Sequence, residues 1–384
     1  MNPSKADSPL SITTPSDLPR LVLERFEAAT KSESITFLES EVKIVRINGI
    51  PVRPKLLHIL YRILTTLLTF ITDVLLLQFQ IRYSPTLAKK PKSGSSDSSD
   101  SKGDKPKINP FKNPPVELTV SGIGANHTLL LNKFCITPGH SILITNKHLP
   151  QTYPLEAEDI GATYAVIREY RDSGHELFGF FNSGEHSGAS QPHRHVQFIP
   201  VNQMLVDLEE KDKKAWKPLP AHGDRLRDMQ DKIPFIYFTA PLKGFETASQ
   251  LHKTYLALLE VAKQAVSLYL SPDPDAEDID ADKDLPETEE VPFSYNMAFM
   301  DRLMVTLPRI SSGSAIENDN EKGKGYVELN GTVLAGTLLV KEKEVYDKFE
   351  GDEGTRLLEE VLGGIGIPVG ALQGGLDWKR GVAR

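Results

Sequence analysis

The stretch Asn182–Pro200, NSGEHSGASQPHRHVQFIP, decides how this chain is read. If the part after Pro192 is extended, its side chains alternate between two faces. His193, His195 and Gln197 then share one face, and Arg194, Val196 and Phe198 share the other. Directly upstream, Ser183, Gly184, Ser187, Gly188, Ala189 and Ser190 form a small-residue loop whose N–H groups and hydroxyls can surround phosphate oxygens at close range. A phosphate beside paired histidines is the resulting expectation. Imidazole suits attack on phosphorus because its unperturbed pKa, about 6.5, leaves a large neutral fraction at physiological pH. The attacking nitrogen must be unprotonated, so the other ring nitrogen carries the proton and donates it to a carbonyl or similar acceptor. Gln197 is no useful acid, but its amide can hold a phosphate oxygen that gains charge in the transition state.

Two bland readings compete with this one. Two histidines on one strand face can bind zinc, but without a nearby cysteine the site needs carboxylates or further histidines from elsewhere. An isolated His-x-His would read as hydrogen-bonded surface histidines. The glycine and serine loop before it and Gln197 after it turn the reading toward chemistry, while His186 reads as exposed or one step removed from the site.

Outward from this stretch, strand-like runs lie at Asn126–Ile136, Ser141–Asn146 and Leu177–Phe181, with Gly139 placed to turn a hairpin. Leu21–Thr36 has helical amphipathic spacing, as do Leu251, Tyr255, Leu258, Ala262, Val266 and Tyr269. Phe293, Tyr295 and Met297 alternate, as do Leu303, Val305 and Leu307, predicting a hairpin that turns near Asp301. Strands also fit Gly325–Asn330 and Thr332–Lys341. Such runs of strands with a few helices predict an α+β fold, mainly antiparallel sheet with flanking helices. Residues 1–205 read as an N-terminal catalytic region and 225–370 as a C-terminal region.

Three segments interrupt this plan. Leu56–Ile81 is strongly apolar, yet Arg62 and Asp73 leave only ten uncharged residues between them, whereas a membrane helix wants about 20. The reading therefore weighs against a membrane and toward a buried or mis-specified segment. Lys89–Lys107, rich in Ser, Gly, Asp and Lys, and the acidic stretch 273–290 both read as exposed loops.

Across 384 residues the formal charge is −8, which argues against a nucleic-acid partner and requires a local basic pocket for any anionic ligand. The single cysteine, Cys135, excludes an intramolecular disulfide and a Cys-rich zinc site and reads as a buried structural thiol. No basic-then-apolar leader opens the sequence, so the expected location is cytoplasmic, with the nucleus left open.

The PHRHVQ segment resembles the active-site strand of the histidine-triad superfamily, in the transferase branch that carries glutamine where hydrolases carry a third histidine. With YSPTLAKKP (Tyr83–Pro91), NPF (Asn109–Phe111), LNKF (Leu131–Phe134), SYN (Ser294–Asn296) and ELNGTVLAGTLLVK ending at Lys341, the chain resembles the fungal-type ATP adenylyltransferases, also called diadenosine tetraphosphate phosphorylases. The resemblance implies a histidine-triad-like fold and makes His195 the nucleophile, with His193 and Gln197 in the catalytic set. It implies substrate contacts at Lys90, Asn132, Lys133, Asn182, Gly188, Ala189, Ser190, Gln191, Gln197, Asn330, Gly331, Thr332, Thr337 and Lys341. Gly331, Thr332 and Thr337 depart from the family pattern; strand residues are the plain alternative for the two threonines, solvated lysines for Lys133 and Lys341. Roughly Val42–Phe79 is additional to the family pattern, and a translated intron, a lineage-specific insertion and a membrane-associating hairpin are open origins for it.

The implied reaction converts diadenosine tetraphosphate and inorganic phosphate to ATP and ADP through AMP held on histidine, reversibly, with a divalent cation such as magnesium on the polyphosphate and no protein-bound zinc. A hexose-1-phosphate uridylyltransferase is the nearest enzymatic rival, disfavoured by Arg194 between the histidines. A catalytically silent nucleotide-binding protein is the rival from another class.

Overall fold

The computed structural model describes residues 12–47, 77–85, 109–271, 284–285, 288–316 and 325–372. Its centre is an eight-stranded antiparallel sheet. The strands follow in the order Phe238–Pro241, Leu303–Arg309, Ser294–Met300, Leu177–Ser183, His195–Pro200, Ser141–Thr145, His127–Leu131 and Thr119–Ile123. The expected hairpin forms with Met300 opposite Leu303. One sheet therefore runs through both halves of the sequence, joined where Ser294–Met300 pairs with Leu177–Ser183.

Both faces of this sheet are covered, and the period-two alternation of the strands divides side chains between two cores. On one side, Phe181, Val196, Phe198, Met297 and Phe299 pack under the helices Ala157–Asp172 and Ala248–Leu270, which contribute Ile160, Tyr164, Leu251, Tyr255 and Leu259. On the other, Phe178, Phe180, Ile199 and Val305 meet a second layer containing a three-stranded sheet and the helix Gly351–Gly363. Cys135 is fully buried, and burial pushes its thiol up to about 12, as a structural cysteine requires.

The three-stranded sheet places Leu77–Tyr83 between Thr337–Val340, parallel to it, and Glu41–Ile47, antiparallel to it. Both ends of the segment read as additional lie in this sheet. Residues 42–47 and 77–79 are paired strand residues, with Leu77 and Phe79 fully buried, and so belong to the fold. The alternation in LQFQI marks them as strand, but the continuous apolar run before them conceals it in the sequence. Residues 48–76 lie outside the described residues, as do most of the apolar run, Lys89–Lys107, Lys90 and most of 273–290. Among the described residues no helix is long and apolar enough to cross a membrane.

Elsewhere the helix expected over Leu21–Thr36 spans Leu18–Lys31, with Thr36 and Phe37 already in a short strand. The strand expected over Thr332–Lys341 is split. Gly331–Ala335 is a short 3₁₀ turn, started by Asn330, whose Oδ1 accepts from Thr332 N at 3.0 Å, and ended by Gly336 at φ +67°. Only Thr337–Val340 is extended. A side-chain cap at one end and a left-handed glycine at the other outcompete the strand propensity of the intervening residues.

Candidate active site

The His195–Pro200 strand lies inside the large sheet, with Ile144 opposite His195 on one side and Phe180 opposite Gln197 on the other. As alternation requires, His193, His195 and Gln197 all face one cavity, while Val196 and Phe198 enter the core beneath. That cavity measures about 1390 Å³, above the roughly 300–1,000 Å³ usual for small-molecule sites and so large enough for an extended ligand. Arg82, Lys112 and Lys133 line it, Arg82 already paired with Asp207 at 2.7 Å, and no described lining residue is acidic. An acidic protein thus holds a cationic cleft, the arrangement a polyanion needs.

Each histidine has a defined tautomer. His195 Nδ1 lies 2.8 Å from the carbonyl oxygen of His193; a carbonyl can only accept, so Nδ1 carries the proton and Nε2 the lone pair. His193 donates from Nε2 to Thr145 O at 2.8 Å and accepts at Nδ1 from Asn109 Nδ2 at 3.0 Å. Burial lowers the His193 pKa and nearby His148 lowers it further, against the hydrogen bond to Thr145 O that raises it. Phe111 packs on both rings, its centroid 5.3 Å from that of His195 and 5.7 Å from that of His193. The Gln197 oxygen meets His140 Nε2 at 3.1 Å, which turns the amide hydrogens of Gln197 toward other acceptors.

The opposite face of the strand is fixed by charge. Buried Arg194 reaches Asp159 Oδ2 at 2.7 Å and Glu156 Oε1 at 3.1 Å, and His127 Nε2 lies 2.8 Å from Asp159 Oδ1. Burial pushes the Asp159 carboxyl up, but the His127 hydrogen bond, the Arg194 charge and the Glu156 N–H outweigh it and leave its pKa below the usual value.

The small-residue loop folds back between two long-range contacts. Gly188 adopts φ +75°, and a Cβ there would come within 2.7 Å of Leu329 O and 2.8 Å of Asn330 Cβ, so only glycine fits. Gly188, Ser190 and Gln191 line the cavity, but the Ser187 hydroxyl turns inward, donating to Gly184 O at 2.7 Å and accepting from Ala189 N at 3.2 Å. The hydroxyl of Ser187 therefore organises the loop itself.

The other expected contacts divide. Asn132, Lys133, Asn330, Thr332 and Thr337 line the cavity. The Thr332 hydroxyl bonds Asn330 Oδ1 and Thr337 O, whereas the buried Thr337 hydroxyl has no partner among the described residues. Ala189, Asn182, Gly331 and Lys341 are not among the lining residues. Asn182 accepts from Gly331 N at 2.8 Å and from Asn296 Nδ2 at 2.9 Å, and Arg309 in turn donates to Asn296, a buried chain that ties the two halves of the sequence together. Lys341 pairs with Glu328. Sequence reasoning missed His140, His148 and Gln151 altogether. They come from the loops beside the Ser141–Thr145 strand and meet the histidine strand only through the sheet. Asn109 and Phe111 were visible only as an NPF motif.

Two family models match the chain: the Ap4A phosphorylase N-terminal domain over residues 55–211 and the ATP adenylyltransferase C-terminal domain over residues 231–368. Diadenosine 5',5'''-P1,P4-tetraphosphate phosphorylase 2 of Saccharomyces cerevisiae is 28% identical over 306 residues, 76% of this chain and 84% of that protein. Protein APA1 of the same yeast is 26% identical over 305 residues, 76% of this chain and 83% of that protein. Among solved structures, yeast Ap4A phosphorylase Apa2 superposes with a TM-score of 0.63 at 22% identity, covering 94% of this chain and 99% of that one. Its complex with Ap4A gives 0.64 at 20% identity, covering 93% and 99%. These superpositions show a common fold.

Proposed function

Because the chain belongs to the Ap4A phosphorylase and ATP adenylyltransferase family and is a nucleotidyltransferase, we propose that it cleaves diadenosine tetraphosphate with inorganic phosphate to ATP and ADP through AMP carried on His195. The observation that carries the reading is the 2.8 Å contact between His195 Nδ1 and His193 O, which leaves the lone pair on Nε2 of a residue lining the cationic cleft.

Nε2 attacks the α-phosphorus, the bond to the bridging oxygen breaks, and that oxygen leaves with ATP. The ring gains positive charge as the bond forms, so the Nδ1–H contact to the His193 carbonyl strengthens in the transition state. Gln197 and the amides near Gly188 meet the developing phosphoryl charge, and Lys133 and Lys112 balance the chain of phosphates. Inorganic phosphate then displaces the imidazole to give ADP, and the same two steps run in reverse. Without an acidic side chain on the described cavity wall, a divalent cation such as magnesium enters with the polyphosphate as part of the substrate. Gln197, unlike a histidine at that place, supplies no base for water, so the adenylylated enzyme waits for phosphate.

Product analysis with and without phosphate tests this reading. ATP plus ADP is expected in equal amounts only when phosphate is present; ATP plus AMP at an undiminished rate in its absence would identify a hydrolase and overturn it.

A further inference from the structure

The Leu177–Ser183 and His195–Pro200 strands pair regularly from Leu177 opposite Pro200 to Phe180 opposite Gln197. Continued by the same register, the ladder would bring Phe181 opposite Val196 and then Asn182 opposite His195, the two residues at the mouth of the glycine and serine loop. There the strands separate, and a side chain fills the gap. Gln151, 2% exposed, accepts from His195 N at its Oε1 (2.7 Å) and donates from its Nε2 to Asn182 O (2.8 Å) and His195 O (3.2 Å).

A primary amide has the donor and acceptor set of a peptide group, so one side chain substitutes for the missing rung of the ladder. Its own backbone is anchored, since Gln151 N donates to Pro192 O at 2.9 Å and Arg194 N donates to Leu149 O at 2.8 Å. The side chain thus determines where the backbone of His195 sits while the loop diverges around it. We propose that Gln151 is the positioning residue for the nucleophile, holding the His195 main chain so that its ring keeps Nδ1 on the His193 carbonyl and Nε2 toward the cleft. This rests on His195 being the nucleophile.

Purified full-length Gln151→Leu, which keeps the volume but neither donates nor accepts, is expected to lower kcat for diadenosine tetraphosphate phosphorolysis about 100-fold with KM within about threefold, because near-attack geometry is lost while the cleft is kept. A second readout needs no turnover. In ¹⁵N-histidine-labelled protein, with His195 assigned by difference from His195→Ala, the wild type should give a pyrrole-type signal from Nδ1 and a pyridine-type signal from Nε2. Gln151→Leu should average the two, whereas Leu358→Ala, a core variant in the helix Gly351–Gly363 that packs on the Glu41–Ile47 strand, should lower stability and leave them unchanged. Gln151→Glu, which retains the acceptor for His195 N–H and loses the donor, should fall between wild type and Gln151→Leu in both measurements. Wild-type kcat within twofold in Gln151→Leu, or an unaltered pair of His195 signals in that variant, would overturn the positioning role. A wild type that never turns over would instead defeat the reaction assigned to His195, and the ring signals would still judge Gln151.

Discussion

His195→Ala is expected to reduce phosphate-dependent cleavage of diadenosine tetraphosphate by at least about 10³-fold while the folded structure persists, since removal of a covalent nucleophile eliminates the two-step route outright. The structure separates the chemical loss from a folding loss. The imidazole of His195 donates to the carbonyl two residues earlier, that of His193, and packs on Phe111, while the main chain is held independently by Gln151. Circular dichroism and denaturation should therefore change little, and affinity for the dinucleotide should fall only modestly, because the cationic wall remains. Rates measured beside His193→Ala would sort the two roles. The His193 imidazole bonds Thr145 O and Asn109, both outside its strand, so its removal also disturbs the cavity wall.

The second large effect falls on stability. Arg194→Ala should destabilise the protein by about 3–5 kcal/mol, the range found when one partner of a buried ion pair is removed. Arg194 is 3% exposed and Asp159 5%, so the carboxylate loses its guanidinium where water cannot replace it. The penalty comes from the remaining charge more than from the lost bond, which makes it dependent on pH. The folded-state pKa of Asp159 lies below the ordinary value, so this carboxylate contributes stability above the unfolded pKa of about 4 and loses it as pH falls through the lower folded value. Urea denaturation should accordingly show a wide gap between wild type and Arg194→Ala at pH 7 and a narrower one in that acidic range. Equal stabilities at pH 7 would contradict the role given to the pair. Arg194 stands between the two histidines in sequence, so part of the lost order should reach the site as well.

Those neighbouring residues illustrate what was legible in the chain. Alternation alone put His193, His195 and Gln197 on one wall and Val196 and Phe198 in the core, because a strand with one buried face must sort its side chains by parity. The same period found the hairpin at Met300 and Leu303. The Ala157–Asp172 helix was not found, since Ile160, Ala162, Tyr164, Ala165, Val166 and Ile167 are all buried and a helix covered on most sides has no amphipathic stripe to detect. Arg194 read only as sharing a face with Val196 and Phe198, and nothing local announced Asp159 thirty-five positions earlier. Gln151 acts across 44 positions through a gap in the ladder, a feature that exists only once the sheet is assembled. Glycines fared unevenly. Gly188 was expected to lie near phosphate, but what requires it is also its approach to Leu329 and Asn330, contacts from the far end of the chain.

The proposed covalent bond between His195 and an adenylyl group can be read by rapid-quench single turnover with substrate labelled in its adenosine. The account predicts label on the protein that is stable to base, released by acid, mapped to the peptide containing His195, and discharged as ADP when phosphate is added. Full turnover of the substrate in a single-turnover experiment with no protein-bound label at any time, or with the label on a different residue, would contradict it.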